Sequence, residues 1–420
     1  MATATKTVHD ACESAKRASH ALASADTATK DRALERLAEL LLAHSAEILE
    51  ANAADLADER AAGLTEALRD RLALDPGRIE AMADGVRAIV ALPDPVGEEL
   101  ERRTLENGLD LQKVRVPLGV IAVIYEARPN VTVDCAALCL KSGNAIVLRG
   151  SSYAERSNAA LAALVREAVV EAGLPQGSVE LLAGERSELA ELATADGLVE
   201  LVIPRGGEGL KEALKAVATV PVLYAAAGNC HVYVDAAADL EMARRIAYNA
   251  KVQRPGVCNA AETLLVDAQV AEAFLPGALS ELRAAGVELV GDDRARAAGG
   301  PAEVGEASPA DWDTEYHGLK LAVAVVDSLA EAVEHVNRHG TGHSEAIVTG
   351  SEEAAREFTD GVDAAVVFVN ASTRFTDGYV FGMGAEIGNS TQKLHARGPI
   401  ALRELTTTKY IVRGDGQVRE

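Results

Sequence analysis

The sequence predicts an α/β protein with two large domains. Short apolar runs, such as residues 118–126 and 144–150, alternate with segments of helical periodicity such as 157–174. A parallel sheet covered by helices requires this alternation, because its strands are buried on both faces. At 420 residues, with 48% hydrophobic and 25% charged residues, the chain is too long for one small core.

The N-terminal hundred residues predict a helical layer, and the segment after it predicts a hairpin. Residues 31–56 are rich in Ala, Leu and Glu and have helical spacing. Two alternating runs then flank Asn107-Gly108, a dipeptide that accepts the positive φ angles of a tight hairpin turn. The β-branched tail at 405–416 adds one more strand, so the hairpin and tail can form a projecting arm.

The strands of two α/β units follow the hairpin. We place the boundary between the units at residues 253–256, so that Cys258 lies at the junction, where ligand sites concentrate. The runs predicted as strands are 118–126, 144–150, 179–184, 199–207 and 230–235 before the boundary, and 261–267, 287–291, 319–328, 345–350 and 364–372 after it.

Charge and composition indicate which partners the protein does not bind and in which cellular compartment it is expected. Lys and Arg total 41 against 64 Asp and Glu, and the formal charge of -23 repels nucleic acid and anionic membrane. The N-terminus lacks the apolar core of a signal peptide, and no run has the length of a membrane helix. Five irregularly spaced cysteines fit reduced thiols. We expect a cytoplasmic protein that binds neither nucleic acid nor membrane.

Two groups of potential metal ligands do not predict a metal site. Cys135 and Cys139 fall on the apolar face of a predicted helix, without a second ligand pair nearby. His335, His339 and His343 are spaced by four, but glycines interrupt the helix before the third histidine. We interpret the cysteines as buried core residues and the histidines as a helix end followed by a loop.

Cys258 is the strongest candidate for chemistry. It follows a Pro255-Gly256 turn and precedes a buried strand. Lys251 and Arg254 lie just upstream, where they can stabilise a thiolate that the turn exposes. Such a thiolate can attack a carbonyl carbon and form a thioester. The competing interpretation is a buried cysteine without a chemical role.

Two strand ends can hold a phosphate, although a G-x-G-x-x-G fingerprint is missing after the early strands. The segment 203–210 reads as strand, Gly-rich turn and helix with Arg205 in the turn, and a plain tight turn explains it equally well. In 147–152, Arg149 ends a strand and two serines follow. Helix capping explains the serines, whereas the arginine remains unexplained.

Four ordered blocks, residues 116–134, 141–152, 249–266 and 382–399, resemble the γ-glutamyl phosphate reductases, also called glutamate-5-semialdehyde dehydrogenases. These enzymes belong to the aldehyde dehydrogenase superfamily, and the resemblance covers nearly the whole chain. It implies an aldehyde-dehydrogenase-like fold with a Rossmann-like cofactor domain, an α/β catalytic domain and a β-hairpin oligomerisation arm. The implied parts are an NADP-binding domain (1–100 and 116–254), the arm (101–115 and 400–414), a catalytic domain (255–380) and a return segment near the active site (381–399).

The resemblance also implies residue roles. Cys258 matches the nucleophile, and Asn130 matches the asparagine that stabilises the oxyanion together with the backbone N–H of the cysteine. Arg149 stands where these enzymes usually carry a lysine at the adenosine ribose, and a guanidinium there suits the 2′-phosphate of NADPH. Arg128 and Arg254 flank these presumed catalytic residues, and for that reason we expect them to bind the substrate anions, with interdomain ion pairs as the alternative. The implied cofactor-binding residues are Arg149, Gly150, Ser151, Ser152, Pro204, Arg205, Gly206, Gly207 and Glu315.

One departure from the superfamily bears on the reaction. The hydrolytic members carry a glutamate general base where this chain has Ala226 in the stretch YAAAGNC. Without that base, water is poorly activated and a thioester survives to meet another reactant.

The resemblance therefore implies NADPH-dependent reduction of L-glutamyl 5-phosphate to L-glutamate 5-semialdehyde and phosphate, the second step of proline biosynthesis from glutamate. The semialdehyde is expected to cyclise to 1-pyrroline-5-carboxylate. We expect NADPH/NADP as cofactor, no metal, a homo-oligomer, and a transient contact with glutamate 5-kinase. Two other functions stay open: an acylating or ordinary aldehyde dehydrogenase with another substrate, and a non-catalytic scaffold that binds partners.

Overall fold

The structure is a computed structural model that describes residues 6–183, 185, 187–224, 227–299 and 303–419. The chain forms two compact units. The first unit comprises Met1–Tyr224, Gly382–Gly388 and Ile400–Glu420, and the second comprises Ala225–Phe381 and Asn389–Pro399.

The helices run in chain order through both units. They are α1 (Val8–Leu22), α2 (Thr27–Ala43), α3 (Ser45–Leu56), α4 (Glu66–Leu72), α5 (Pro76–Val90), α6 (Asn130–Lys141), α7 (Glu155–Glu171), α8 (Ser187–Ala193), α9 (Glu208–Val217), α10 (Leu240–Val252), α11 (Ala268–Ala284), α12 (Asp293–Gly299), α13 (Leu329–His339) and α14 (Glu352–Gly361).

The strands of the described residues are distributed over four sheets. They are β1 (Glu99–Thr104), β2 (Asp110–Pro117), β3 (Val120–Tyr125), β4 (Ala145–Arg149), β5 (Val179–Leu181), β6 (Leu201–Arg205), β7 (Cys230–Val234), β8 (Ala261–Asp267), β9 (Glu288–Gly291), β10 (Gly305–Glu306), β11 (Lys320–Val326), β12 (Ser344–Val348), β13 (Val366–Val369), β14 (Gly388–Ser390), β15 (Gly398–Ile400) and β16 (Thr406–Arg413).

The predicted N-terminal helical layer is present as α1 to α5. All of these helices except α3 begin at a side chain that accepts a hydrogen bond from an exposed backbone N–H: Thr7 caps α1, Asp26 caps α2, Thr65 caps α4 and Asp75 caps α5. Pro76 follows as the first residue of α5, where its missing N–H is not needed. The apolar side of α2 packs against α5 and α7, which joins this layer to the first sheet.

The first unit is built on a parallel sheet of order β5-β4-β3-β6. Every residue of β3 is buried, as the continuous apolar run predicts. The chain winds outward from β3 to β4 and β5, and then returns to place β6 on the other side of β3. Ligands bind beyond the carboxyl ends of parallel strands at such a reversal, so the loops after β3, β4 and β6 are the functional edge.

The predicted hairpin and tail form a three-stranded antiparallel sheet of order β1-β2-β16. Gly108 has φ +84, the left-handed conformation for which the Asn-Gly dipeptide is suited. All residues of β1 are exposed, and most residues of β16 are exposed as well. This sheet is called the arm below.

The second unit is built on a parallel sheet of order β10-β9-β11-β8-β7-β12-β13. The strand at 230–235, which the sequence analysis assigns to the first domain, is β7 of this sheet. Val234 of β7 aligns with Val266 of β8, and β12 pairs on the other side. The division between the units therefore falls between Tyr224 and Ala225 rather than at 253–256, because a buried strand belongs with the ladder that satisfies its backbone.

The two groups of potential metal ligands adopt structural positions. Cys135 and Cys139 are buried in α6, α13 ends at His339, and His343 is buried just before β12. In the described part of the chain, no group of three or more His, Cys, Asp and Glu residues is arranged to hold a metal ion. Over the same residues, no helix has the length and apolar character needed to span a membrane.

Candidate active site

Cys258 lies in the loop that connects α10 with β8. It is partly exposed, whereas the other four cysteines, all of them within the described residues, are buried. The backbone N–H of Ala260 donates to the carbonyl oxygen of Val257 at 3.0 Å, which closes a turn around the cysteine. The sequence-predicted nucleophile is thus the one of the five cysteines that is not buried.

The backbone of Cys258 is fixed by the segment that enters β7. The thiol of Cys230 donates to the carbonyl oxygen of Cys258 at 3.2 Å. Gly228 packs against the same carbonyl group so closely that a Cβ at position 228 would overlap its oxygen. A glycine is required at position 228 because the two backbones approach each other closely, and this contact fixes the position of the Cys258 loop.

The other side of the loop is held by residues 373–376. The hydroxyl of Thr373 donates to the carbonyl oxygen of Asn259 at 2.7 Å. The side-chain amide of Asn259 in turn donates to the carbonyl oxygen of Thr376 at 2.9 Å. These bonds fasten Asn259, the residue next to Cys258, to a segment more than a hundred positions later.

Arg374, which the sequence analysis does not identify, is brought to the cysteine by this segment. Its Nε donates to the side-chain oxygen of Gln253 at 3.0 Å, and its side chain is half-buried. Burial lowers the pKa of Arg374, and the nearby charge of Arg254 acts in the same direction, whereas Cys258 opposes the shift. The only sequence signal was an arginine shortly after a predicted strand, which is too common to be specific.

Lys251, by contrast, is committed to a buried ion pair. Its Nζ lies 2.5 Å from Oε2 of Glu262, and both side chains are buried. Burial lowers the pKa of Lys251 and raises that of Glu262 to about 7, while the attraction within the pair opposes both shifts. The pair joins α10 to β8, so the charge of Lys251 is balanced by Glu262 rather than directed solely at a thiolate.

Glu315 carries an unsatisfied oxygen. Its side chain is 14% exposed, and Oε2 lies 3.2 Å from Nε2 of His317. Oε1 is buried and has no hydrogen-bond partner among the residues that the structure describes. A buried carboxylate oxygen in this condition suits a ligand hydroxyl, such as those of a ribose.

In the first unit, Asn130 is the first residue of α6, directly after the loop from β3. Its side-chain amide donates to Oδ2 of Asp134 at 2.9 Å. Burial raises the pKa of Asp134 to about 6, although the hydrogen bond from Asn130 and the charge of Arg205 oppose the shift. Asp134 orients the amide, whose second N–H can serve another acceptor.

The carboxyl end of β4 opens into a cavity of about 170 Å³ lined by Gly150, Ser151, Glu155 and Asn158 among others. A Cβ at Gly150 would overlap the side-chain amide of Asn158, so a larger residue here would require that side chain to move. Ser151 accepts a hydrogen bond from the N–H of Tyr153 at 3.3 Å, as a cap of the short turn that begins at Ser152.

The guanidinium of Arg149 lies at the end of β4. It donates to the carbonyl oxygen of Glu185 at 2.7 Å. Burial lowers the pKa of Arg149, and the nearby carboxylate of Glu188 opposes this effect. The arginine is thus held at the carboxyl edge of the sheet.

The Gly-rich turn after β6 is occupied by a side chain of the protein. Pro204 is the penultimate residue of β6, and Arg205 ends the strand. The N–H of Gly207 donates to Oε2 of Glu126 at 3.3 Å, and a Cβ at Gly206 would crowd the same carboxyl group. A phosphate can use this N–H only if Glu126 moves away, because the carboxylate already fills the anion position.

The structure therefore divides the predicted residues into two sets. Asn130 and the residues at the ends of β4 and β6 belong to the first unit, as does the half-buried Arg128. Cys258, Glu315 and the exposed Arg254 belong to the second unit. Ala226, at the place of the missing general base, lies outside the described residues.

Comparison with known proteins assigns the chain to a family. The profile of the aldehyde dehydrogenase family matches residues 1–301 and 309–411. The chain is 53% identical over 406 residues to a γ-glutamyl phosphate reductase of Syntrophomonas wolfei, with 96% of each chain covered. It is 54% identical over 413 residues to a γ-glutamyl phosphate reductase of Thermobifida fusca, with 98% of each covered.

A solved structure agrees with these relatives. The crystal structure of γ-glutamyl phosphate reductase from Thermotoga maritima superposes with a TM-score of 0.96 at 47% identity, covering 99% of this chain and 100% of that one. The chain therefore belongs to the aldehyde dehydrogenase family of oxidoreductases and, within it, to the γ-glutamyl phosphate reductases.

Proposed function

We propose that this chain reduces L-glutamyl 5-phosphate with NADPH to L-glutamate 5-semialdehyde and phosphate, through a thioester on Cys258. The reaction is the second step of proline biosynthesis from glutamate, and its product cyclises to 1-pyrroline-5-carboxylate. The observation that carries the proposal is the position of Cys258, a partly exposed residue on a loop that Cys230 and Thr373 hold in place.

The first half of the reaction uses the residues of the protein. The Cys258 thiolate attacks C5 of the acyl phosphate, and the negative charge of the tetrahedral intermediate falls on the carbonyl oxygen. The backbone N–H of Cys258 and the side-chain amide of Asn130 donate to that oxygen, and each preorganised donor contributes about 3 kcal/mol. Phosphate then leaves and the thioester remains on the sulfur.

The residues present fit a nicotinamide cofactor, which members of this family use. The buried Oε1 of Glu315 lacks a partner in the described residues and can accept from ribose hydroxyls. The cavity at Gly150 and Ser151 offers room at a strand end, and Arg149 is the candidate for the 2′-phosphate that distinguishes NADPH. The remaining candidates are Ser152, Pro204, Arg205, Gly206 and Gly207. When bound, the reduced nicotinamide supplies the hydride that the thioester accepts.

Release of the product regenerates the thiolate. The thiohemiacetal on Cys258 collapses, the C–S bond breaks, and the semialdehyde leaves. Water does not compete effectively for the thioester, because Ala226 cannot act as a general base. Arg128 and Arg254 are the proposed partners of the substrate anions, which otherwise face a chain of formal charge -23.

The proposal includes two kinds of protein partner, a second copy of the chain and the enzyme that makes the substrate. The strands β1 and β16 are edges of the arm, and Leu100, Tyr410 and Val412 are exposed apolar residues on it. A second copy of the chain can cover these residues and pair with an edge, which makes a homo-oligomer. We also propose a transient contact with glutamate 5-kinase, because the acyl phosphate is labile in water.

The reverse reaction tests the function without the unstable acyl phosphate. Semialdehyde, phosphate and NADP are mixed with wild type or with Cys258→Ala, and absorbance of NADPH is followed. The proposal requires NADPH to form only with phosphate and only with the intact cysteine. NADPH formation without phosphate would identify an ordinary aldehyde dehydrogenase. If the reaction required coenzyme A instead of phosphate, the protein would be an acylating aldehyde dehydrogenase. A wild-type chain that does not bind NADPH would be a scaffold.

A further inference from the structure

We propose that Arg374, together with Arg254, binds the phosphate group of the substrate while it is attached to the reacting carbon and after it leaves. This inference rests on the proposed function and adds a residue to it. Arg374 lies outside the four sequence blocks that resemble the γ-glutamyl phosphate reductases. Only the folding of the second unit brings it to the nucleophile.

The position of Arg374 is set by bonds on both sides of Cys258. Its own Nε donates to Gln253, five residues before the cysteine, at 3.0 Å. Its carbonyl oxygen and that of Thr376 accept from the amide of Asn259, the residue after the cysteine, at 3.4 and 2.9 Å. The guanidinium is therefore anchored beside the loop rather than extended into solvent.

The carboxylate of Asp377 acts to raise the pKa of Arg374 from a distance but forms no ion pair with it. Within the described residues no acidic side chain forms an ion pair with it, and its hydrogen-bond partner Gln253 is neutral. Arg254 is a second positive charge close enough to lower the pKa of Arg374, and the Cys258 sulfur is close enough to oppose the effect. Two guanidiniums next to one nucleophile repel each other, and a dianion between them removes this repulsion.

The chemistry of the substrate selects the phosphate. The phosphate is bonded to the carbon that the thiolate attacks, whereas the α-carboxylate is separated from that carbon by three others. A cation within electrostatic range of the sulfur therefore meets the phosphate first. Guanidinium groups bind phosphate oxygens in pairs and retain their charge at every physiological pH.

The test compares Arg374→Gln, Arg374→Lys and wild type in the reverse reaction, with phosphate and semialdehyde varied separately. Arg374→Gln should raise the KM for phosphate by about 10- to 100-fold, since a charge-assisted bond is lost, and leave the KM for semialdehyde nearly unchanged. Arg374→Lys should fall between, because it keeps the charge and loses the paired donors. Arg356→Gln, an exposed arginine of α14 in the same unit, is the matched control.

Other outcomes overturn the inference. A rise in the KM for semialdehyde alone would assign Arg374 to the α-carboxylate. A fall in the rate of Cys258 alkylation by iodoacetamide at neutral pH, with the KM for phosphate unchanged, would make it a partner of the thiolate. Unchanged kinetics in Arg374→Gln would remove Arg374 while leaving the proposed function intact. The proposed function itself is tested with wild type and Cys258→Ala, and it fails if NADPH forms without phosphate or without the intact cysteine. The main-chain bonds of residue 374 do not depend on its side chain, so the variants should retain the fold.

Discussion

The side-chain amide of Asn130 donates a hydrogen bond to the carboxylate of Asp134 at 2.9 Å, one turn along α6. An asparagine amide that rotates presents either oxygen or nitrogen to a neighbour, and only the nitrogen can stabilise an oxyanion. A carboxylate accepts hydrogen bonds and cannot donate them, so Asp134 selects the useful orientation. Asp134 thus becomes a positioning residue for the proposed oxyanion donor.

Replacement of Asp134 should lower kcat more than it changes KM. Asp134→Ala removes the acceptor and lets the Asn130 amide rotate, with an expected loss of about 10- to 100-fold in kcat. Asp134→Asn keeps a carbonyl acceptor and should retain more activity. Steady-state kinetics of the reverse reaction decide, and a loss confined to the KM for NADP would contradict the positioning role.

The same carboxylate predicts a pH dependence. Burial raises the pKa of Asp134 to about 6, so it is ionised above that pH and protonated below it. As pH falls through about 6, the ionic acceptor for Asn130 is lost, and kcat should decline on the acid side. Asp134→Asn cannot ionise, so this limb of its pH profile should disappear. A limb that persists unchanged in Asp134→Asn would belong to another group.

Gly228→Ala should disrupt the nucleophile loop. Its Cβ would overlap the carbonyl oxygen of Cys258, and the clash involves backbone atoms that cannot rotate away. We expect a fall in activity of at least about a hundredfold, because displacement of reacting groups by about 1 Å has this effect. Gly85→Ala in α5 is the control, since a Cβ there meets no atom within 4 Å.

The control variant Gly85→Ala is expected to change stability in the opposite direction. Alanine is a better helix residue than glycine, so Gly85→Ala should stabilise the protein by about 0.5–1 kcal/mol without change in activity. For both variants, thermal unfolding measures the change in stability, and the rate of Cys258 alkylation measures whether the cysteine loop is displaced. Normal alkylation and activity in Gly228→Ala would show that the loop accommodates a side chain.

The buried pair of Lys251 and Glu262 should be critical to stability as a pair. Lys251→Met leaves the Glu262 carboxylate buried without its cation, with an expected loss of about 3–5 kcal/mol in the free energy of unfolding. Lys251→Met combined with Glu262→Leu should recover most of this loss, because no charge remains to be desolvated. Urea unfolding at constant protein concentration tests both, and losses that simply add would rule out direct coupling.

Glu315→Gln should affect the cofactor rather than the thiol. Its buried Oε1 lacks a partner in the described part of the chain and is proposed to accept from a ribose hydroxyl. Loss of the charged acceptor should weaken NADPH binding by about 10- to 100-fold. Fluorescence titration with NADPH measures the affinity, and iodoacetamide alkylation of Cys258 should proceed at the wild-type rate. Equal affinity in the variant would exclude the carboxylate from the cofactor site.

Local sequence determined the element types and pointed to the proposed nucleophile. Period and turn chemistry act over a few residues, so Asn107-Gly108 specifies a hairpin and continuous apolar runs specify buried strands. The turn before Cys258 likewise singles out this cysteine as the proposed nucleophile. Resemblance to the reductases supplied the family, because long ordered blocks of residues are specific where a single motif is not.

Only the tertiary structure decided which sheet receives a strand and which distant side chains meet. The segment 230–235 has the same apolar pattern as strands of either unit, and its pairing with β8 and β12 makes it part of the second. Arg374 reaches the Cys258 loop, and Glu126 reaches the turn at Gly207, through contacts between residues far apart in sequence. Such contacts arise from packing of whole elements, and local periodicity contains no information about them.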